Sequence, residues 1–185
     1  MSDTRKKMNI KDMVLVGVFA AVMAVLSQVA LPMPGGVPIT IQIFTVALIG
    51  SVLGYKHGPL TLVIYILIGA VGAPVFSSMR GGLGVIMGTA GGYIVTWPVM
   101  AAFCGIRPDT GREKLDYVLS VILGIIGLLI VEAAGAFWWA RLTEGNWGVI
   151  MIYSFTAFIP KDMVLTVLGL IVGKKVRTSL RNFGM

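Results

Sequence analysis

The chain has 185 residues, 57% of them hydrophobic and 12% charged, with a mean hydropathy of +0.91 and a formal net charge of +7. That composition excludes a soluble globular domain and points to an integral membrane protein. A hydrocarbon core of roughly 30 Å takes about 20 apolar residues per helix, so the length predicts about six short-looped spans. The expected fold class is all-α, a six-helix transmembrane bundle forming one membrane domain over residues 1–185.

In chain order, helices are predicted at about 12–31, 39–55, 58–74, 83–105, 115–140 and 147–173. The basic start "MSDTRKKMNIKD" runs into the first apolar segment without a cleavage site, so that segment reads as a span and not a signal peptide. Its "GVFAAVMAVL" carries a small-residue stripe, Ala20 and Ala24 with Gly17 close by, suited either to internal packing or to a partner helix. The break "LPMPGGVP" follows. The second and third spans are short, and the Gly and Pro of "GYKHGP" predict a loop between them that holds His57.

The fourth span, "GLGVIMGTAGGYIVTW", places five glycines (82, 84, 88, 91 and 92) within eleven residues. Helix packing accounts for some of them, and close approach of a ligand to the backbone accounts for the excess. Thr89 and Tyr93 are four apart and share a face if the helix is continuous. Cys104 stands alone, which leaves no disulfide or metal framework, and no cofactor is expected.

Twelve of the fifteen basic residues fall at the termini or in alternate loops: Arg5, Lys6, Lys7, Lys11, Lys56, Arg107, Arg112, Lys114, Lys174, Lys175, Arg177 and Arg181. The positive-inside rule makes that side cytoplasmic, with an even number of spans and both termini inside. The charges flank spans and do not cluster in a folded domain, so they give no support to a nucleic-acid partner. Of the other three, Arg141 follows "FWWA" as an interfacial anchor, and Arg80 lies in "GAPVFSSMRGGLG", where a guanidinium can meet a carboxylate. Lys161 falls inside the last span, beside Asp162, and Glu132 inside the fifth. Each costs about 3 kcal/mol at mid-membrane, so such residues face the bundle interior. They form either an interhelical pair, Lys161 with Glu132, or a solute site.

Taken together, "VPITIQ" after a Pro-rich break, "GAPVF", "GGLGVIMGTAGGY" and "AFIPKD" resemble, in order and over nearly the whole chain, the motifs of the BioY family. These are the biotin-specific substrate-capture components of energy-coupling factor (ECF) transporters. The resemblance implies a six-helix membrane protein of the plasma membrane that binds biotin from outside. It also implies partners, a transmembrane coupling protein and two cytoplasmic ATPases, met through an AxxxA stripe on the first helix. Ala20 and Ala24 fit that stripe.

Biotin carries a ureido ring with two N–H donors and one carbonyl, an apolar thiophane ring, and a valerate carboxylate. Asp162 suits a ureido N–H, Tyr93 and Thr89 offer hydroxyls, and Gln42 offers a donor and an acceptor. Trp97, Phe76 or Trp139 can cover the apolar ring, and Lys161 or Arg80 can meet the valerate. Similar sequences read Pro-Gly-Asp and then a lysine three residues after the Asp. Here Lys161 holds the Gly position and Leu165 the lysine position, so the cation is expected one turn away on the same face. The "LPMPGGVP" break and the segment around Arg80 are expected to close over the site from outside.

No catalytic residue is identified. With one histidine and neither GxSxG nor HExxH, an intramembrane hydrolase has little support, and the glycine-rich span lacks the Lys and Ser/Thr of a P-loop. The alternatives are capture of a different vitamin, or a self-sufficient transporter in which Asp162, Glu132 and Lys161 relay protons.

Overall fold

The computed structural model describes residues 9–33 and 36–182. Arg5, Lys6 and Lys7 of the basic start, and Pro34 and Gly35 of "LPMPGGVP", lie outside the described residues. The elements are α1 (Ile10–Leu26), β1 (Ala30–Leu31), β2 (Ile39–Thr40), α2 (Gln42–Ala70), a 3-10 turn (Ser77–Met79), α3 (Leu83–Ile86), α4 (Gly91–Gly105), α5 (Glu113–Thr143) and α6 (Trp147–Asn182).

Among the described residues three helices, α2, α5 and α6, are long and apolar enough to cross a membrane. Helix α2 is bent back on itself at Gly54, whose φ of +80° lies where only glycine is comfortable. Gly58 packs on Gly50, and a Cβ on Gly58 would lie 3.0 Å from the Gly50 Cα. Residues 42–53 and 55–70 are therefore two antiparallel arms joined by one residue. With α1, α4, α5 and α6 they make the six rods of the predicted bundle. At 1.5 Å per residue the arms measure about 18 and 24 Å, short of the roughly 30 Å hydrocarbon core, whereas α5 and α6 exceed it.

The arms of α2 form the centre, packed against α1, α4 and α6, and α5 closes the ring between α4 and α6. Met23, Val46, Ile49, Leu62, Met100, Leu128 and Val131 are wholly buried between them. Glycines set the spacing: a Cβ on Gly50 would strike the Ala101 carbonyl of α4, and one on Gly169 the Phe44 carbonyl of α2. Such close backbone approach is how apolar helices gain dispersion contact without a hydrophobic driving force from lipid.

Several boundaries differ from expectation. The first helix ends at Leu26, and residues 30–31 pair instead with 39–40 in a short antiparallel ribbon, Ala30 opposite Thr40. "GYKHGP" is not a loop: residues 55–59 are helical, and the carbonyl of His57 accepts the Thr61 hydroxyl at 2.8 Å. The span expected over 83–105 is two helices, because a turn at 87–90 interrupts it. Gly91 sits directly on the Ile86 carbonyl and Gly92 on the Trp138 side chain, where any Cβ would collide. These two glycines serve packing, and none of the five in this segment lines the cleft described below. Helix α6 continues nine residues past 173, carrying Lys174, Lys175, Arg177 and Arg181 beyond the bundle's apolar body.

Candidate functional site

At the end of the bundle opposite the Gly54 turn, α4, α5, α6 and the start of α2 diverge around a cleft. It holds about 570 Å3 of empty space, counting the part open to solvent. Val37, Pro38 and Thr40 line it, and so do Phe76, Ser77 and Arg80. These are the two segments expected to cover the site.

Helix α6 supplies one wall. Ser154, Phe158, Asp162 and Thr166 recur every fourth residue, all buried, and so form one inward stripe. Pro160 lies within this stretch and has no N–H for the Thr156 carbonyl, which loosens the helix just before the charged pair. Asp162 is 2% exposed, whereas the Lys161 side chain is 27% exposed and reaches along the cleft. Its ammonium bonds the Asp162 carboxylate and donates to the Thr40 carbonyl at 3.1 Å, lying 5.9 Å from the centre of the Phe158 ring. Neighbouring residues on a helix point about 100° apart, and the pair forms only because the lysine stem is long enough to fold back. An ammonium has three donors, so one remains for a ligand, and among the described residues only Lys161, on Oδ1, donates to the Asp162 carboxylate.

Glu132 of α5 is 2% exposed and accepts from Ser154 Oγ at 3.4 Å. Of the two alternatives for these charges, the interhelical pair of Lys161 with Glu132 does not form, since Lys161 spends its contacts on Asp162 and Thr40. Ser154 also meets the Tyr93 hydroxyl at 2.8 Å. With the serine proton aimed at Glu132, Tyr93 donates to Ser154, and the tyrosine oxygen keeps its free lone pairs for an incoming donor. The Tyr93 ring packs edge-on to Phe158 at 6.1 Å, and Gly135 leaves the room for it, because a Cβ there would collide with the ring.

The opposite wall is held by hydrogen bonds at the loop. Phe76 N–H donates to the Arg80 carbonyl at 2.9 Å, and the Arg80 guanidinium donates to the Ser77 carbonyl at 3.2 Å and to its hydroxyl at 3.4 Å. Ser78 and Met79 take φ of +60° and +55°, a costly conformation for residues other than glycine. Gln28, at the end of α1, fixes it by accepting the Met79 N–H at 2.9 Å and donating to the Val75 carbonyl at 3.3 Å. The Tyr65 hydroxyl donates to the same carbonyl at 2.8 Å. Phe76 packs edge-on to Tyr65 in a recess left by Gly69.

Of the residues singled out from sequence, Asp162, Lys161, Tyr93, Arg80 and Gln42 line this one cleft, with Trp97 and Phe76. Thr89 does not: it lies in the turn before α4, so the helical spacing that would align it with Tyr93 is broken, and it faces Gly36 instead. Trp139 packs edge-on to Tyr153, away from the cleft, and Leu165 packs against the core. Glu132, read from sequence as a buried charge of an interhelical pair or a solute site, also lines the cleft; Phe158, Ser77 and Thr40 were not assigned to the site from sequence, nor was Ser154 behind it. The four-residue stripe leading to Asp162 was the readable signal for Ser154 and Phe158.

Ala20 is buried in the core and Ala24 packs against it, so neither offers a free stripe. Gly17 faces outward with nothing near it, and Ala21, one turn on, is also exposed. The small-residue stripe on the outer face of α1 is thus Gly17 and Ala21.

An apolar bundle with a half-open cleft lined by a buried ion pair and aromatic rings defines a membrane protein built to hold a small polar solute. The BioY family model matches residues 2–182, and the chain belongs to that family. It is 35% identical to the probable biotin transporter BioY of Pyrococcus horikoshii, over 92% of this chain and 98% of that one. It is 32% identical to the biotin transporter BioY of Rhodobacter capsulatus, over 90% and 93%. The fold matches, with a TM-score of 0.80 over 96% of this chain and 95% of the other, a crystal structure described as the S-component for biotin from an ECF-type ABC transporter, at 22% identity. The relatives are named as transporters and not as enzymes, in keeping with the absence of a catalytic constellation from the sequence.

Proposed function

We propose that this chain captures biotin in the outward cleft, as one membrane domain, and delivers it for ATP-driven uptake. The observation that carries the reading is the Lys161–Asp162 pair in the cleft wall, where the bonds to Thr40 and Asp162 leave the ammonium one further donor and the carboxylate a second oxygen. A cyclic urea presents the complementary edge, a carbonyl beside an N–H. The ureido carbonyl accepts from Lys161 and one ureido N–H donates to Asp162, while the Tyr93 oxygen is an acceptor within the same cleft. Phe76, Trp97 and Phe158 cover the thiophane ring. Arg80, at the rim, meets the valerate carboxylate, for which a guanidinium forms paired hydrogen bonds.

The cleft faces outward and the basic end, with both termini, faces the cytoplasm of the plasma membrane; the excess of Lys and Arg at that end supports this orientation. Energy comes from an ECF module, a coupling protein with two ATPases, because the sequence has no nucleotide-binding loop of its own. The outer face of α1, where Gly17 and Ala21 allow close helix approach, is the contact for the coupling protein.

Calorimetric titration of the purified protein with biotin, biotin amide and an unrelated vitamin tests the ligand assignment. Tight biotin binding that weakens by about 2 kcal/mol or more in Asp162→Asn, the cost of losing a charge-assisted hydrogen bond, is the expected result. Absence of binding to either biotin form overturns it.

A further inference from the structure

At the opposite end of the bundle a second cleft opens between α1, α2 and α6, with about 760 Å3 of empty space counting the part open to solvent. Three guanidiniums meet there. Arg107 donates to the Val52 carbonyl at 3.1 Å and Arg177 to the Ser51 carbonyl at 3.2 Å, so both cap the last turn of the first α2 arm beside Gly54. Arg181, one turn beyond Arg177, lines the same cleft and has no hydrogen-bond or salt-bridge partner among the described residues. Burial, and then the neighbouring guanidiniums, pull Arg107 and Arg177 below the ordinary guanidinium range. Among the described residues none of the three is in a salt bridge. Among the described residues the cleft contains one carboxylate, Asp12, and His57, and its remaining wall is apolar: Leu15, Val52, Leu53 and Leu180.

We propose that this cleft binds the phosphate of an anionic phospholipid headgroup. Two of the guanidiniums are pre-positioned by helix carbonyls, so little side-chain entropy is lost in meeting a planar pair of phosphate oxygens. Among the described lining residues, three cations against one carboxylate leave a net positive charge that a phosphodiester neutralises, relieving the mutual repulsion. The leucines below them suit the glycerol and upper acyl chains, which free phosphate lacks. The depth is also right, since the cationic groups project from the ends of apolar helices, where basic pockets between helices meet headgroups.

Native mass spectrometry of the detergent-purified full chain with phosphatidylglycerol, phosphatidylcholine or inorganic phosphate tests this. Phosphatidylglycerol is expected to be retained about fivefold or more over phosphatidylcholine, the factor that one cationic contact is worth near a surface. Arg181→Gln should erase that preference and Arg181→Lys should keep part of it. Arg112→Gln removes the same charge from a residue outside the cleft and should leave the preference intact, and thermal melts check that each variant folds. Equal retention of the two lipids, or equal loss in Arg181→Gln and Arg112→Gln, overturns the site in favour of diffuse attraction. Displacement of phosphatidylglycerol by millimolar inorganic phosphate overturns the lipid as its occupant.

Discussion

At the outer end of the bundle, Lys161 is answered by the next residue, Asp162, and by the Thr40 carbonyl, and Glu132 by Ser154. At the inner end, Arg107 and Arg177 are answered by helix carbonyls, and Arg181 by nothing among the described residues. The outer charges lie deep, where an unmatched ion would cost several kcal/mol, so the protein supplies counter-groups itself and leaves only single donor and acceptor positions for a ligand. The inner charges lie where water and lipid headgroups can reach them, and surplus charge is tolerated there. Buried, balanced charge suits selection of one small molecule, whereas exposed, unbalanced charge suits attraction of whatever anion the surface offers.

The sharpest test of this contrast is the outer pair. Asp162→Asn leaves Lys161 half-buried without its counter-charge, and a fall in biotin affinity of about 3 kcal/mol, roughly a hundredfold, is expected by calorimetry. If affinity is unchanged, the outer end does not select by balanced charge. Next, Gly135→Ala drives a methyl into the Tyr93 ring and pushes it toward the cleft; overpacking of this kind should weaken binding or stability by about 1–3 kcal/mol, read by calorimetry and thermal melts.

Arg80→Gln separates the two cations of the outer end. It should weaken biotin by about 1.5 kcal/mol or more while leaving biotin amide unchanged, because only the carboxylate gains from the guanidinium. An equal loss for both ligands would move the tail to Lys161. At the inner end, Arg107→Gln removes one charged cap and should lower thermal stability by about 1–2 kcal/mol without altering biotin affinity.

The smallest effect belongs to Glu113, an exposed residue whose carboxyl Lys174 holds below its usual range through a 2.7 Å hydrogen bond. A lowered folded-state pKa contributes stability above the ordinary value of about 4.3 that is lost as pH falls through the folded value. Solvent screens so exposed a pair, and Lys174→Ala should shift neither melting temperature nor its acid dependence detectably. A clear shift would mean that the inner end, too, is held by paired charge.

The spans and the buried charges were legible because hydrocarbon enforces both: apolar length for the rods, and rarity for Lys161, Asp162 and Glu132. Tertiary packing was not. "GYKHGP" has the composition of a loop, yet close seating of Gly58 on Gly50 and of Gly105 against the turn lets one residue reverse the chain. The break at 87–90 was hidden because its glycines read equally as packing residues in one continuous helix, and Thr89 was misplaced with it. Ala20 and Ala24 matched a spacing that α1 presents just as well through Gly17 and Ala21, and only the direction of the helix face distinguishes them.

The single-residue turn at Gly54 also bears on how sidedness can be mapped in living cells. Reporter insertions and protease sites need slack backbone, and hydropathy marks 55–58 as a natural choice. That stretch is helical and packed, and the Arg107 guanidinium would stand 3.2 Å from a Cβ on Gly54. A tag placed there would prise the hairpin apart and report a damaged protein. The irregular segment 108–111, on the same end of the bundle and largely exposed, can carry the reporter without that injury.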